Sequence, residues 1–265
     1  MLTDAVERQY VQRLQAGLEA ASAAVSEFLP GRFAIHDRGG RDVVTEVDRK
    51  VSEVLRHALL QPGEGWLSEE DADDRTRLSK EVVWIVDPLD GTREFVDGIP
   101  EWCISVGLTV GGTAVAGGIV NPATEERIVG SLRSGVTYNG RQAGPSRKTS
   151  LGEAVVLASR QEHARGDWRQ FEGKRFSIVP KGSVAYKLAL VSAGLADATW
   201  TLSPKNEWDI AAGVALANSA GCGVGCIKNA KMVFNQDKTL LPGIAASGMG
   251  IWSEVLEVIS PEKVK

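Results

Sequence analysis

The chain has 265 residues, enough to bury one large core or two smaller lobes. Hydrophobic residues at 43% and charged residues at 24% suit a globular protein, and a net charge of −4 without any Lys/Arg block argues against a nucleic acid polymer as partner. No apolar run approaches a bilayer span, and three cysteines (Cys103, Cys222, Cys226) cannot build a disulfide framework.

The N-terminal Met1-Leu2-Thr3-Asp4-Ala5-Val6-Glu7-Arg8 is charged and lacks the apolar core of a signal peptide, so the expectation is a cytoplasmic protein with no membrane contact. Over residues 3–29, Val6, Tyr10, Leu14, Leu18, Val25 and Leu29 fall near helical spacing, and Pro30-Gly31 ends the helix. A Gly- and Arg-rich loop (Arg38-Gly39-Gly40-Arg41) leads to Thr45-Glu46-Val47-Asp48. A second helix places Val47, Val51, Val54, Leu55 and Leu59 on one face and closes at Pro62-Gly63. Ser68-Glu69-Glu70 then opens a polar stretch.

The run Val82-Val83-Trp84-Ile85-Val86 predicts a buried strand, and Pro88, which has no N–H to donate, is expected to stop its ladder. Asp87 and Asp90 are thereby fixed on a rigid turn at the strand end. Short strands follow, with 104–110 and 113–120 joined by the hairpin residues Gly111-Gly112, and 126–131 and 136–138 extending the meander. The Gly, Pro and Arg content of 139–150 marks the expected boundary between an α+β lobe (1–145) and an α/β lobe (146–265). The second lobe alternates strand 154–158, helix 160–171, strand 175–179, a helix opened by Gly182-Ser183, strand 196–202 and helix 207–220.

Five acidic residues stand where elements begin or end: Asp48, Glu69, Asp87, Asp90 and Asp209. Asp48 lies three after Thr45 and Asp209 three after Asn206, so each also fits a helix cap. The stretch from Glu69 to Asp74 lacks the acid spacing and glycine of a calcium loop. Asp87 and Asp90 are harder to assign to structure alone, because two carboxylates on one turn repel unless a cation separates them. The three histidines show no metal spacing, and Cys222-x-x-x-Cys226 reads as packing. An all-oxygen ligand set points to Mg²⁺ or Mn²⁺.

In order and spacing, Val44-Thr45-Glu46-Val47-Asp48, Ser68-Glu69-Glu70, Asp87-Pro88-Leu89-Asp90-Gly91-Thr92 and Glu207-Trp208-Asp209-Ile210-Ala211-Ala212-Gly213 resemble the motifs of the inositol monophosphatase family. That family comprises Mg²⁺-dependent, typically lithium-sensitive phosphatases and includes the bisphosphate nucleotidases. The resemblance implies an α-β-α-β-α layered sandwich of the inositol monophosphatase/fructose-1,6-bisphosphatase type. It implies one metal on Glu69, Asp87 and the Leu89 carbonyl, a second on Asp87, Asp90 and Asp209, and a third, weaker one near Glu69. Asp48 matches the acid that supports Thr92 and the attacking water, while Gly91 and Thr92 match phosphate-binding N–H groups. Members include homodimers and monomers, so a homodimer stays open.

Within that resemblance, inositol-preferring members carry a glutamate seven residues before the last metal aspartate; here the position is Leu202. Leucine cannot accept hydrogen bonds from a polyol. The Lys205-Asn206-Glu207-Trp208-Asp209 stretch and the Ser-Glu-Glu motif are more similar to members that act on 3'-phosphoadenosine 5'-phosphate. Lys205 and Glu207, with Gly182 and Ser183, are therefore the expected substrate contacts, while Trp102 and Trp208 are expected to pack in the core. Inositol 1-phosphate and sugar or histidinol phosphates remain alternative small esters, and a non-catalytic metal-binding protein is the alternative from another class. Asp-x-x-Asp-Gly-Thr has one residue too many for an aspartyl-phosphate phosphatase of the haloacid dehalogenase type. Gly221-Cys222-Gly223-Val224-Gly225 follows a helix, which suits a cap better than a dinucleotide loop.

Overall fold

Leu14, Leu18, Ala21 and Val25 line one face of α1 (Asp4–Ser26), and Val47, Val51, Leu55 and Leu59 line one face of α2 (Glu46–Leu59). Between them lies the small hairpin β1 (Ile35–Asp37) and β2 (Val43–Thr45). The computed structural model describes residues 2–26, 28, 35–37, 43–227 and 232–260. The expected helix stop at Pro30-Gly31 and the loop Arg38-Gly39-Gly40-Arg41 lie outside these.

The chain continues through β3 (Gly65–Ser68), β4 (Val82–Asp90), the short α3 (Thr92–Val96), β5 (Cys103–Val110), β6 (Thr113–Asn121), β7 (Glu126–Ser131), β8 (Gly135–Tyr138) and β9 (Arg141–Ala143). These strands form one seven-stranded sheet in sequence order, antiparallel except where β3 runs parallel to β4. Successive side chains of β4 face opposite ways. Trp84 and Val86 meet α1 and α2, whereas Val83 and Ile85 enter a second cluster. Burial on both faces explains the uninterrupted apolar run.

The remaining elements are β10 (Val155–Ser159), α4 (Arg160–Arg165), β11 (Ser177–Lys181), α5 (Val184–Ser192), β12 (Ala198–Trp200), β13 (Lys205–Asn206), α6 (Glu207–Ala220), β14 (Gly223–Cys226), β15 (Leu240–Leu241), β16 (Ile244–Ser247) and α7 (Trp252–Val258). A five-stranded sheet has the order β11-β10-β12-β16-β14. The helices α5 and α6 lie between the two sheets and share one buried cluster with both, including Ile85, Leu188, Ala211 and Ala246. A third cluster, built around Trp168, Phe171, Trp200 and Val255, covers the outer face of the smaller sheet. The result is the expected α-β-α-β-α sandwich, with the two halves of the chain meeting across a common core.

Close approach of α6 to the large sheet requires glycine below it. A Cβ on Gly117 would lie 2.5 Å from the Ala212 carbonyl oxygen, and one on Gly107 would lie 2.8 Å from the Ala211 Cβ. Ala211 and Ala212 are thus the packing surface against β5 and β6 that seats Asp209, while Gly213 lies against Leu188 of α5.

Several boundaries differ from expectation, among them strand 196–202, which is shortened to β12 (Ala198–Trp200). Strand β4 continues through Pro88 to Asp90, with the irregularity in register instead of a stop. Helix 160–171 breaks at Gly166 (φ +86°) into α4 and a 3-10 turn. Strand β11 starts at Ser177, and Pro180 is tolerated because β11 is a sheet edge. No helix among the described residues is long and apolar enough to cross a membrane.

Candidate active site

On an unbroken strand, side chains three residues apart point to opposite faces. Asp87 pairs with Ser105 and Asp90 with Cys103, so three steps on β4 match two on β5. That extra residue is a bulge, and it turns both carboxylates toward one cleft. The Leu89 N–H donates to Asp87 Oδ1 (3.0 Å), which fixes the turn from within.

Gly91 follows with φ +96°, where a Cβ would crowd the Glu101 carbonyl oxygen at 3.1 Å. It starts α3, whose first N–H groups have no partner inside the helix. The Thr92 hydroxyl donates to the Leu89 carbonyl oxygen (3.0 Å) and lies 3.5 Å from Asp48 Oδ1. Asp48 is buried in the first turn of α2.

Glu69 enters from the neighbouring strand. Its N–H donates to the Val86 carbonyl oxygen (3.3 Å), extending the parallel pairing of β3 and β4 by one residue beside Asp87. Asp209 comes from the opposite layer, in the first turn of α6, where its Oδ2 accepts the Asn206 N–H (2.9 Å). Asp209 is thus both a cap and a site carboxylate. Oxygens of Glu69, Asp87 and Asp209 lie within 4.8 Å of one another.

Burial and the charges of Asp209, Glu70, Asp90 and Asp48 push the Glu69 carboxyl from 4.5 up to about 8. Full burial, together with Glu69, Asp90, Asp209 and Asp48, raises Asp87 well above the usual carboxylate range. Such a cluster can ionise fully only with a compensating cation. Carboxylate and carbonyl oxygens without nitrogen or sulfur fit a hard divalent ion such as Mg²⁺ or Mn²⁺.

Asp90 is held from the other half of the chain. Its Oδ2 accepts the Ser183 hydroxyl (2.6 Å) and the Ala185 N–H (2.7 Å) at the start of α5. Ser183 has a left-handed φ of +52° and also caps the helix by accepting the Tyr186 N–H (3.0 Å). Strained residues of this kind persist where their surroundings over-determine them. A Cβ at Gly182 would fall 2.5 Å from the Glu101 carbonyl oxygen, and the Gly182 N–H donates to Glu101 Oε2 (2.8 Å).

Cationic side chains gather around this 181–183 turn. Arg160 donates to Glu101 Oε2 through Nε (3.0 Å) and Nη2 (2.6 Å), and Lys181 Nζ stands 3.6 Å from Glu101 Oε1. Burial works against the charge of Glu101, but Arg160, the Gly182 N–H and Lys181 together hold its carboxyl below the usual range. Buried Lys187 donates to the Ser183 carbonyl oxygen (2.6 Å), and burial lowers its ammonium to about 8.

The cleft brings together Glu69, Asp87, Leu89, Asp90, Gly91, Thr92, Gly182, Ser183, Lys205 and Asp209 from the sequence expectations, with Asp48 behind Thr92. Glu207 is not among them: it is fully buried, and its carboxylate accepts the N–H groups of Asn235 (2.6 Å) and Gln236 (2.8 Å). Leu202 packs against the outer cluster, while Thr201 and Lys205 line the cleft. Trp102 is buried edge-on against Phe95 (5.0 Å between centroids). Sequence reading missed Arg93, Arg160, Lys181 and Lys187, all of which line the cleft. Only Ser159-Arg160, a helix-capping serine and a cation directly after a strand, carried a positional signal.

The model of the inositol monophosphatase family matches residues 7–257. An inositol monophosphatase of Mesembryanthemum crystallinum is 31% identical over 223 residues, covering 78% of this chain and 83% of that protein. An inositol-1-monophosphatase of Rhizobium meliloti is 34% identical over 193 residues, covering 69% and 72%. The solved structure of a Thermotoga maritima IMPase superposes with a TM-score of 0.78 at 27% identity, over 99% of this chain and 98% of that one. The chain belongs to the inositol monophosphatase family of phosphatases.

Proposed function

We propose that the chain is a Mg²⁺-dependent phosphomonoesterase of the 3'(2'),5'-bisphosphate nucleotidase type, releasing phosphate from 3'-phosphoadenosine 5'-phosphate to leave AMP. The observation that carries this reading is the double character of the cleft. Carboxylates converge at one place, and Arg160, Lys181, Lys187 and Lys205 collect near the 181–183 turn. A substrate with a second anionic group suits such a cleft better than a neutral polyol does. The apolar Leu202, packed away from the cleft, supports the same choice.

In this reading Glu69, Asp87, the Leu89 carbonyl, Asp90 and Asp209 hold two to three Mg²⁺ ions, for which Mn²⁺ can substitute. When bound, the metal neutralises phosphoryl charge and lowers the pKa of water. Glu69 and the Asp48–Thr92 pair orient the attacking water and accept its proton. Backbone N–H groups of Gly91 and Thr92 receive the phosphate oxygens, and the attack is in line without a covalent enzyme intermediate. As the new P–O bond forms the ester P–O bond breaks, and the departing 3'-oxygen takes up the proton that the water gave up. Ser183 and Gly182 shape the opposite side, with Lys205 on the second anion. Three free, buried cysteines are in keeping with a cytoplasmic setting.

The relatives' names favour a second reading, inositol-1-phosphate hydrolysis. Phosphate release should be measured with Mg²⁺ on 3'-phosphoadenosine 5'-phosphate, inositol 1-phosphate, fructose 1,6-bisphosphate and histidinol phosphate. The proposal expects the highest kcat/KM on the bisphosphorylated nucleotide and none after chelation. A preference for inositol 1-phosphate would replace it with the second reading.

A further inference from the structure

Glu207 precedes Asp209 by two residues yet lies outside the cleft. The residues that donate to its carboxylate, Asn235 and Gln236, are gripped from the other side by Arg77. Arg77 Nη1 donates to Asn235 Oδ1 (2.8 Å) and Nη2 to the Gln236 carbonyl oxygen (3.1 Å). Asn235 Nδ2 donates back to the Arg77 carbonyl oxygen (3.0 Å). Arg77 is only 1% exposed and is oriented by Asp73, which accepts from its Nε (3.1 Å) and Nη2 (2.8 Å). Asn235 adopts a left-handed φ of +59°, a conformation that the surrounding bonds must maintain.

A continuous polar tie therefore runs from Asp73 through Arg77 and Asn235-Gln236 to Glu207. One end lies four residues past Glu69 and the other two residues before Asp209. Glu69 and Asp209 belong to the carboxylate cluster that converges within 4.8 Å. Like charges there push the two segments apart, and a tie anchored in both opposes the separation.

We infer that Arg77, Asn235 and Glu207 form a clamp that holds the acidic cluster at cation-binding spacing and thereby sets its affinity for divalent metal. The inference rests on the metal reading of that cluster. The three are positioning residues. A site already held in its bound arrangement loses less free energy to ordering when the ion arrives. Partners bonded directly to metal ligands are typically worth about 10–100-fold in metal affinity, and a tie that acts through the chain belongs at the lower end of that range.

The test is electron paramagnetic resonance of free Mn²⁺ titrated with the wild type, Glu207→Gln and Asn235→Gly, with thermal unfolding of each in chelator. Asn235→Gly removes both side-chain bonds to Arg77 and accepts the positive φ, so it remains informative if Glu207→Gln fails to fold. The clamp predicts a Mn²⁺ dissociation constant about tenfold higher in each folded variant. An unchanged constant in Asn235→Gly, even with a lower melting temperature, would overturn the clamp and leave the network purely structural. A wild type that binds no Mn²⁺ would overturn the metal reading itself, and the clamp with it.

Discussion

The acidic wall of the cleft rises from β3, β4 and the first turn of α6, all packed on the seven-stranded sheet. The cationic wall comes from the ends of β10 and β11, from α5 and from β13, alongside the smaller sheet. On the acidic wall, backbone devices aim each group: a bulge for Asp87 and Asp90, a strand extension for Glu69, a cap for Asp209. On the cationic wall, long side chains are steered by one carboxylate, Glu101, and by carbonyls of the 181–183 turn. The first arrangement suits chemistry that tolerates little displacement. The second suits recognition of a charged group whose position varies with the ester.

The largest expected effect is on the acidic wall. Asp90→Asn should leave a folded protein whose Mg²⁺-dependent turnover falls by about a hundredfold or more, at or beyond the loss typical of outer partners. Near-wild-type turnover would break the metal assignment of Asp90.

Gly117→Ala attacks the same wall from beneath. Its methyl meets the Ala212 carbonyl oxygen and must lift α6, and Asp209 with it. Overpacking of this kind costs about 1–3 kcal/mol, which urea unfolding would read. An unaltered midpoint would show that α6 is not pinned there.

On the cationic wall, Arg160→Ala should raise KM for a bisphosphorylated substrate about tenfold, roughly 1.4 kcal/mol, while kcat holds. A simple monoester should be hardly affected. Equal losses on both would place Arg160 in the chemistry instead of in recognition.

The walls meet at Ser183, which caps α5 and donates to Asp90. Ser183→Ala should cost about 1 kcal/mol of stability from the lost cap, measurable by chemical denaturation. A neutral effect would mean that the Asp90 contact alone gives Ser183 its role.

The acidic wall was largely legible in the sequence because its residues sit where apolar runs begin or end, at Asp48, Glu69, Asp87, Asp90 and Asp209. Pro88 misled in one respect: a missing N–H was expected to end the strand, but a bulge absorbs it and the pairing resumes at Asp90. Glu207 misled differently. Proximity to Asp209 in sequence suggested a substrate contact, whereas two residues along the start of a helix turn a side chain by about 200°, here to Asn235 and Gln236. Those partners are 28 and 29 residues distant, and Arg77 joins them from 158 and 159 residues away, so no local pattern reveals the network. Arg93, Lys181 and Lys187 were equally hidden, because scattered cations carry no periodic signal, and Arg160 offered only its place after a capping serine.

Thermal stability across pH, with chelator and with saturating Mg²⁺, tests most directly whether the carboxylate cluster is a cation site. The folded-state pKa of Glu69 is raised from 4.5 to about 8, so the folded protein holds that proton more tightly than the unfolded chain does. Its contribution is fully present below pH 4.5 and is lost as pH rises through about 8; Asp87 acts in the same direction. In chelator the melting temperature should therefore lose this contribution over that range, and Mg²⁺ should restore it, so the gap between the two curves widens as pH rises. Curves that coincide at every pH would contradict the account.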